Sequence, residues 1–90
     1  MPISFDPAKR DKTLAERGLD FADAEAVFES LLTENPDNRF DYGEERRITV
    51  GLIRSRMVVV VWTPRGEGRH IISMRKANDR EQRRYAKQLG

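Results

Sequence analysis

Five residues, Lys9, Glu44, Arg46, Arg75 and Tyr85, are of the types needed to break an RNA phosphodiester. Attack by a ribose 2′-hydroxyl needs a proton acceptor, a donor for the leaving 5′-oxygen, and cations around the crowded phosphorane. Arginine supplies the cations in a planar fork, and Glu, Tyr or a Lys of lowered pKa can exchange the protons. Such a site needs neither a metal nor a histidine. The same five residues also read as ordinary surface ion pairs with a buried tyrosine. His70, the only histidine, titrates near neutrality and is a general-base candidate, yet its alternation with Ile72 and Met74 predicts a packing position. Trp62 could stack a base, but its place at the end of an apolar run predicts core packing.

Other chemistries have little support. The chain has no cysteine, so it has no disulfide framework, zinc ribbon or thiol nucleophile. A single histidine excludes an H-E-x-x-H helix, and no phosphate-binding G-x-x-x-x-G-K-[ST] loop is present. Asp37, Asp41, Glu44 and Glu45 could gather a hard cation, although acidic loop residues are usually just solvated. No metal and no cofactor is therefore expected. The longest apolar run, Met57 to Trp62, falls far short of the roughly 18–20 residues of a membrane span. No signal-peptide pattern follows Met1-Pro2, which with the lack of cysteine points to the cytoplasm.

Charge is strongly divided. Residues 1–45 carry five Lys/Arg and twelve Asp/Glu, net −7, whereas residues 46–90 carry twelve and three, net +9. Arginine outnumbers lysine thirteen to four. A basic half of this kind attracts polyanions, and Arg65, Arg69, Arg80, Arg83, Arg84 and Lys87 are candidate RNA contacts.

Ninety residues make one small domain, residues 1–90. Ile3-Ser4-Phe5 predicts a short strand, and Asp6-Pro7 then caps a helix that stops at Gly18. Lys9, Arg10 and Lys12 sit unfavourably in its positive first turns. A second helix opens at Asp20, with Phe21, Ala24, Val27, Phe28 and Leu31 as its apolar stripe. A strand is expected at Leu31–Glu34. Alternation from Arg47 to Ile53, the Met57–Trp62 run and Arg69–Lys76 predict three further strands joined by short loops, hence antiparallel. His70, Ile72 and Met74 are expected to share a face. Asn78 and Glu81 form a capping box for a last helix, with Tyr85 on its packing side and Arg80, Arg83, Arg84 and Lys87 as a stripe opposite. The fold class is α+β, a twisted antiparallel sheet flanked by helices in the order β-α-α-β-β-β-β-α.

Several segments together resemble the BrnT-type toxins of bacterial type II toxin–antitoxin pairs. They are Phe5-Asp6-Pro7-Ala8-Lys9, Gly18-Leu19-Asp20-Phe21 with Ala24 and Val27-Phe28, and Tyr42-Gly43-Glu44-Glu45-Arg46. The strongest runs from Ile71 to Ala77, followed by Arg80-Glu81 and Tyr85. Where the family often has an Asn and a Lys-His-Gly ending in the first helix, this chain has Thr13 and Glu16-Arg17-Gly18. The resemblance implies a RelE-like fold and a ribonuclease that arrests translation. It also implies neutralisation by a BrnA-like ribbon-helix-helix antitoxin in a heterotetramer, with DNA met only through that antitoxin. By the motif match Lys9, Glu44, Arg46, Arg75 and Tyr85 are the functional set. The alternatives are an RNA-binding module without catalysis, or an interaction domain whose basic final helix docks an acidic protein.

Overall fold

In the computed structural model, residues 1–89 are described, and the N-terminal elements follow the local signals closely. Strand β1 (Ile3–Phe5) leads into helix α1 (Pro7–Arg17). The Asp6 carboxylate accepts the Ala8 N–H at 2.9 Å. Gly18 ends the helix at φ 69°, a conformation glycine adopts without strain, and its N–H reaches the Leu14 carbonyl at 3.0 Å. Arg10 offsets its poor position in the helix dipole by gripping Asp20 with two bonds of 2.9 and 2.8 Å. Asp20 in turn accepts the Ala22 N–H and caps a 3-10 turn, Phe21–Asp23.

The second helix is shorter than its apolar stripe predicts. After that 3-10 turn, α2 covers only Ala24–Glu29, and Leu31 is exposed. Ser30 ends it: its hydroxyl donates to the Ala26 carbonyl and accepts the Leu52 N–H, both at 2.7 Å. The helix lies directly on strand backbone at Gly51, where a Cβ would stand 2.2 Å from the Val27 oxygen.

Strands β2 (Thr33–Pro36), β3 (Arg47–Ile53), β4 (Arg56–Arg65) and β5 (Gly68–Lys76) complete a five-stranded sheet in the order β1-β5-β4-β3-β2. The sheet is mixed, which corrects the antiparallel expectation. β1 pairs parallel to β5, with Ile3 opposite Arg69 and Phe5 opposite Ile71. Short loops fix the direction of sequence neighbours only, and β1 meets the strand most remote from it in the chain. β2 likewise begins two residues later than expected, although the Leu32 N–H already donates to the Val50 carbonyl ahead of it.

The expected alternation along β5 is also corrected. Val61 faces Ser73 and Trp62 faces Ile71, so Ile72 is an extra residue in a bulge. Ile71 and Met74 consequently enter one core, and His70 points to the opposite face. That first core joins them to Phe21, Val27, Val58, Val60 and Trp62 under α1 and α2. Trp62 is a packing residue: its Nε1 donates to Thr49 Oγ1 at 2.8 Å and its ring meets Phe28 edge to face. Beyond β1, the Arg17 guanidinium covers the free edge of β5 by donating to the Met74 carbonyl at 2.8 Å.

The second face holds a smaller cluster, Val50, Met57, Val59 and Ala77, against which Tyr85 packs. Tyr85 belongs to α3 (Asp79–Tyr85), which buries no residue fully and runs into a 3-10 turn, Ala86–Leu89. At the other end the 37–46 loop folds over Thr63, whose hydroxyl donates to the Glu45 carbonyl at 2.6 Å. Between helix and loop, Val61, His70 and Ser73 are only partly covered.

Candidate functional site

Register defines this half-open face. Val59, Val61 and Thr63 alternate onto it from β4, and their partners on β5 are Arg75, Ser73 and His70. Arg75 and His70 thus stand at its two ends, separated by about 13 Å of strand. Ser4 enters beside His70 from β1.

The 37–46 loop forms one wall and is braced from within. The Asp37 side chain is fully buried and holds the Arg39 fork at 2.8 and 2.9 Å. That bond lowers the Asp37 pKa from its ordinary 3.8 to about 2, against the opposing effect of burial. Asp37 N–H donates to the Arg46 carbonyl at 2.7 Å and closes the loop's base. Asp41 accepts the Gly43 N–H at 3.0 Å, with Gly43 at φ 71°. The Arg46 guanidinium lies 3.8 Å over the Tyr42 ring, and its Nε reaches Glu44 at 3.3 Å. Phe40 meets Tyr42 edge to face with ring centres 5.8 Å apart.

His70 is the centre of the charged surroundings. Its Nδ1 is 2.9 Å from the Ser4 hydroxyl. Burial is the main force lowering its pKa below the usual 6.5; Arg65 and Lys9 push the same way, while Glu44 and Asp6 oppose them. The imidazole is therefore neutral at neutral pH. The charges of Lys9, on α1, and Glu44, in the loop, both act on it, in opposite senses. Arg46 joins them through Glu44.

Arg75 is anchored from α3. Glu81 takes its guanidinium at 2.7 and 2.9 Å, and the same carboxylate accepts the Asn78 N–H at 2.9 Å as half of the capping box. The pair raises the Arg75 pKa and lowers that of Glu81. The charge of Arg39 acts on Arg75 in the opposite sense.

Other expected residues lie elsewhere. Tyr85 is half-buried against the second core. Arg69 points to the opposite face and stacks over Phe28 at 4.0 Å and Trp62 at 5.1 Å, with its Nε buried and without a partner. The stripe on the last helix divides, contrary to expectation. Arg80 and Arg84 line a shallow depression with Asn78 and Glu81, whereas Arg83 turns toward Leu52, Ser55 and Met57. Lys87 is exposed on the terminal 3-10 turn, and Arg65 is exposed at the β4–β5 turn.

The four loop carboxylates do not converge either. Asp37 holds Arg39, Asp41 the Gly43 N–H, Glu44 Arg46, and Glu45 Arg47. Among the described residues, no group of three or more His, Cys, Asp or Glu is placed to hold a metal ion. Sequence reading passed over Arg39, grouped with the acidic half, and saw Glu81 only as a cap. A carboxylate six residues from Arg75, at the third position of the helix that follows the same strand, is the signal that could have exposed the second role.

Among the described residues, no helix is long and apolar enough to cross a membrane. A search of curated proteins gives no match to the chain. Residues 5–81, from the last residue of β1 to the capping-box glutamate, match the family model for the ribonuclease toxin BrnT of type II toxin–antitoxin systems. The matched span takes in β4, β5 and the 37–46 loop, and the chain belongs to the BrnT family of ribonuclease toxins.

Proposed function

We propose that the half-open face cleaves RNA by 2′-hydroxyl attack, with the chain's own side chains supplying all of the acid–base and electrostatic help. His70 accepts the 2′-hydroxyl proton, and the charge of Glu44 favours the imidazolium that forms. The O2′–P bond forms as the P–O5′ bond breaks, leaving a 2′,3′-cyclic phosphate, and the departing 5′-oxygen takes a proton from Lys9 or from His70 once protonated. Arg46, Arg65 and Arg75 stabilise the charge that gathers on the phosphorane. Glu81 and Tyr85 are positioning residues: one holds the Arg75 fork and the other seats the helix that carries Glu81. Arg80 and Arg84, beside Arg75, extend the basic track for the RNA backbone.

The observation that supports this reading is that His70 and Arg75 share one half-open face, the imidazole 2.9 Å from the Ser4 hydroxyl and the guanidinium held by Glu81 at 2.7 and 2.9 Å. In a RelE-like toxin of this kind the result is arrest of translation in the cytoplasm. An antitoxin partner comes with the family. We take it to be a BrnA-like ribbon-helix-helix dimer that contacts DNA on behalf of both proteins, and whose acidic surface covers the cations that otherwise hold RNA. The test is the chemistry of the ends. Purified chain incubated with RNA in EDTA should leave 2′,3′-cyclic or 3′-phosphate ends and 5′-hydroxyls. Ends with 3′-hydroxyl and 5′-phosphate, or cleavage only after a divalent ion is added, would contradict it.

A further inference from the structure

Phe40 is the most exposed large apolar side chain described in the chain, with 71% of its surface open. A single exposed apolar residue is ordinary on a protein surface. Here three further observations accompany it. The loop that carries it is braced at its base and its tip by Asp37, Arg46 and Asp41, so the ring is held outward on a fixed support. Tyr42 stands behind it edge to face, and Arg46 occupies a face of Tyr42. The same loop is seated on the half-open face at Thr63, the cross-strand partner of His70: the Thr63 hydroxyl donates to the Glu45 carbonyl at 2.6 Å, so the ring stands at the rim of that face.

We infer that Phe40 is a stacking platform for one unpaired nucleobase, which makes single-stranded RNA the substrate class of this face; the inference rests on the ribonuclease reading above. Aromatic rings with cations beside them bind single strands because every base has a π-face and every nucleotide a phosphate. A paired base inside a helix cannot offer that face. An apolar protein partner would need a wider apolar patch. Phe40 instead lies between charged Arg39 and Asp41, and the other exposed large apolar residues, Met1, Leu14, Leu31 and Leu89, belong to other segments.

The experiment uses a fluorescently labelled 2′-O-methyl RNA, which lacks the attacking hydroxyl and so reports binding without cleavage. Parent, Phe40→Ala and Phe40→Trp are titrated with the single strand and with its duplex. Phe40→Ala should weaken single-strand binding about tenfold and leave duplex binding unchanged. Phe40→Trp should bind like the parent, with indole emission quenched by the stacked base. Equal affinity of parent and Phe40→Ala for the single strand overturns the inference, as does an equal loss for both forms of RNA. Loss of antitoxin neutralisation in Phe40→Ala with unchanged single-strand affinity also overturns it, and reassigns the ring to a protein contact. Failure of the catalytic reading is a separate result: unchanged cleavage by His70→Gln removes the proposed chemistry while the binding series still decides the platform.

Discussion

Glu81 holds Arg75 with both carboxylate oxygens, at 2.7 and 2.9 Å, while also closing the capping box that starts α3. One side chain therefore fixes where the final helix begins and how a strand-borne guanidinium is aimed. The guanidinium has more N–H groups than Glu81 uses, so a phosphate can be bound without breaking the pair.

Glu81→Gln separates the two roles. Glutamine still serves the third position of a capping box, so stability should fall by less than about 1 kcal/mol. Arg75 loses its charged partner and its fixed orientation, so RNA cleavage should fall about tenfold or more. Urea unfolding and initial cleavage rates measured on the same preparation check both. Parental cleavage by Glu81→Gln would show that the orientation of Arg75 is immaterial.

Gly51→Ala should be among the most damaging single methyl additions. The new Cβ would meet the Val27 backbone oxygen, which α2 cannot withdraw without lifting from β3. A loss of about 3 kcal/mol is expected in urea unfolding, the upper end of the overpacking range. A loss under about 0.5 kcal/mol would mean that the helix sits more loosely than its contacts indicate.

The β3–β4 turn is built from residues poorly suited to it. Arg54 and Ser55 both adopt positive φ, 51° and 68°, where two-residue hairpins favour Asn-Gly. Arg54→Asn combined with Ser55→Gly should raise stability by about 1 kcal/mol without altering cleavage. Calorimetry and a cleavage assay test the pair together, and an unchanged or lower melting temperature counts against strain at this turn.

Asp37 makes the 37–46 loop acid-sensitive. Its folded pKa, about 2, lies below the ordinary 3.8, so its contribution is complete above about pH 4 and is lost as pH falls toward 2. Asp37→Asn should therefore be less stable than the parent at pH 6, and the gap should close by about pH 2. Urea midpoints across that range test it; a gap that is the same at both ends would assign the loss to packing instead of charge.

Much of the fold was legible because it is written locally. Asp6-Pro7 and Gly18 bound α1, alternation marks β3, and Asn78 with Glu81 starts α3. What escaped depends on remote partners. The parallel pairing of β1 joins Ile3 to Arg69, and the bulge at Ile72 reverses the facing of β5 beyond His70. No spacing rule reports either. The site was legible in its chemistry more than its geometry. The charges of Lys9 and Glu44 both act on His70, itself expected to be a packing residue. Arg69 was lost to an aromatic stack because Phe28, on α2, is distant in sequence and the bulge at Ile72 turns Arg69 onto the face of Trp62. Arg39 and Phe40 went unnoticed because their significance comes from where a ten-residue loop folds.

The most direct measurement is single-turnover cleavage of labelled RNA in EDTA by the parent and three variants, His70→Gln, Arg75→Ala and Lys87→Ala. Losses of about a hundredfold or more are expected for the first two, with cooperative unfolding preserved, and near-parental cleavage for Lys87→Ala. Parental rates in both His70→Gln and Arg75→Ala would contradict the assignment of RNA cleavage to this face.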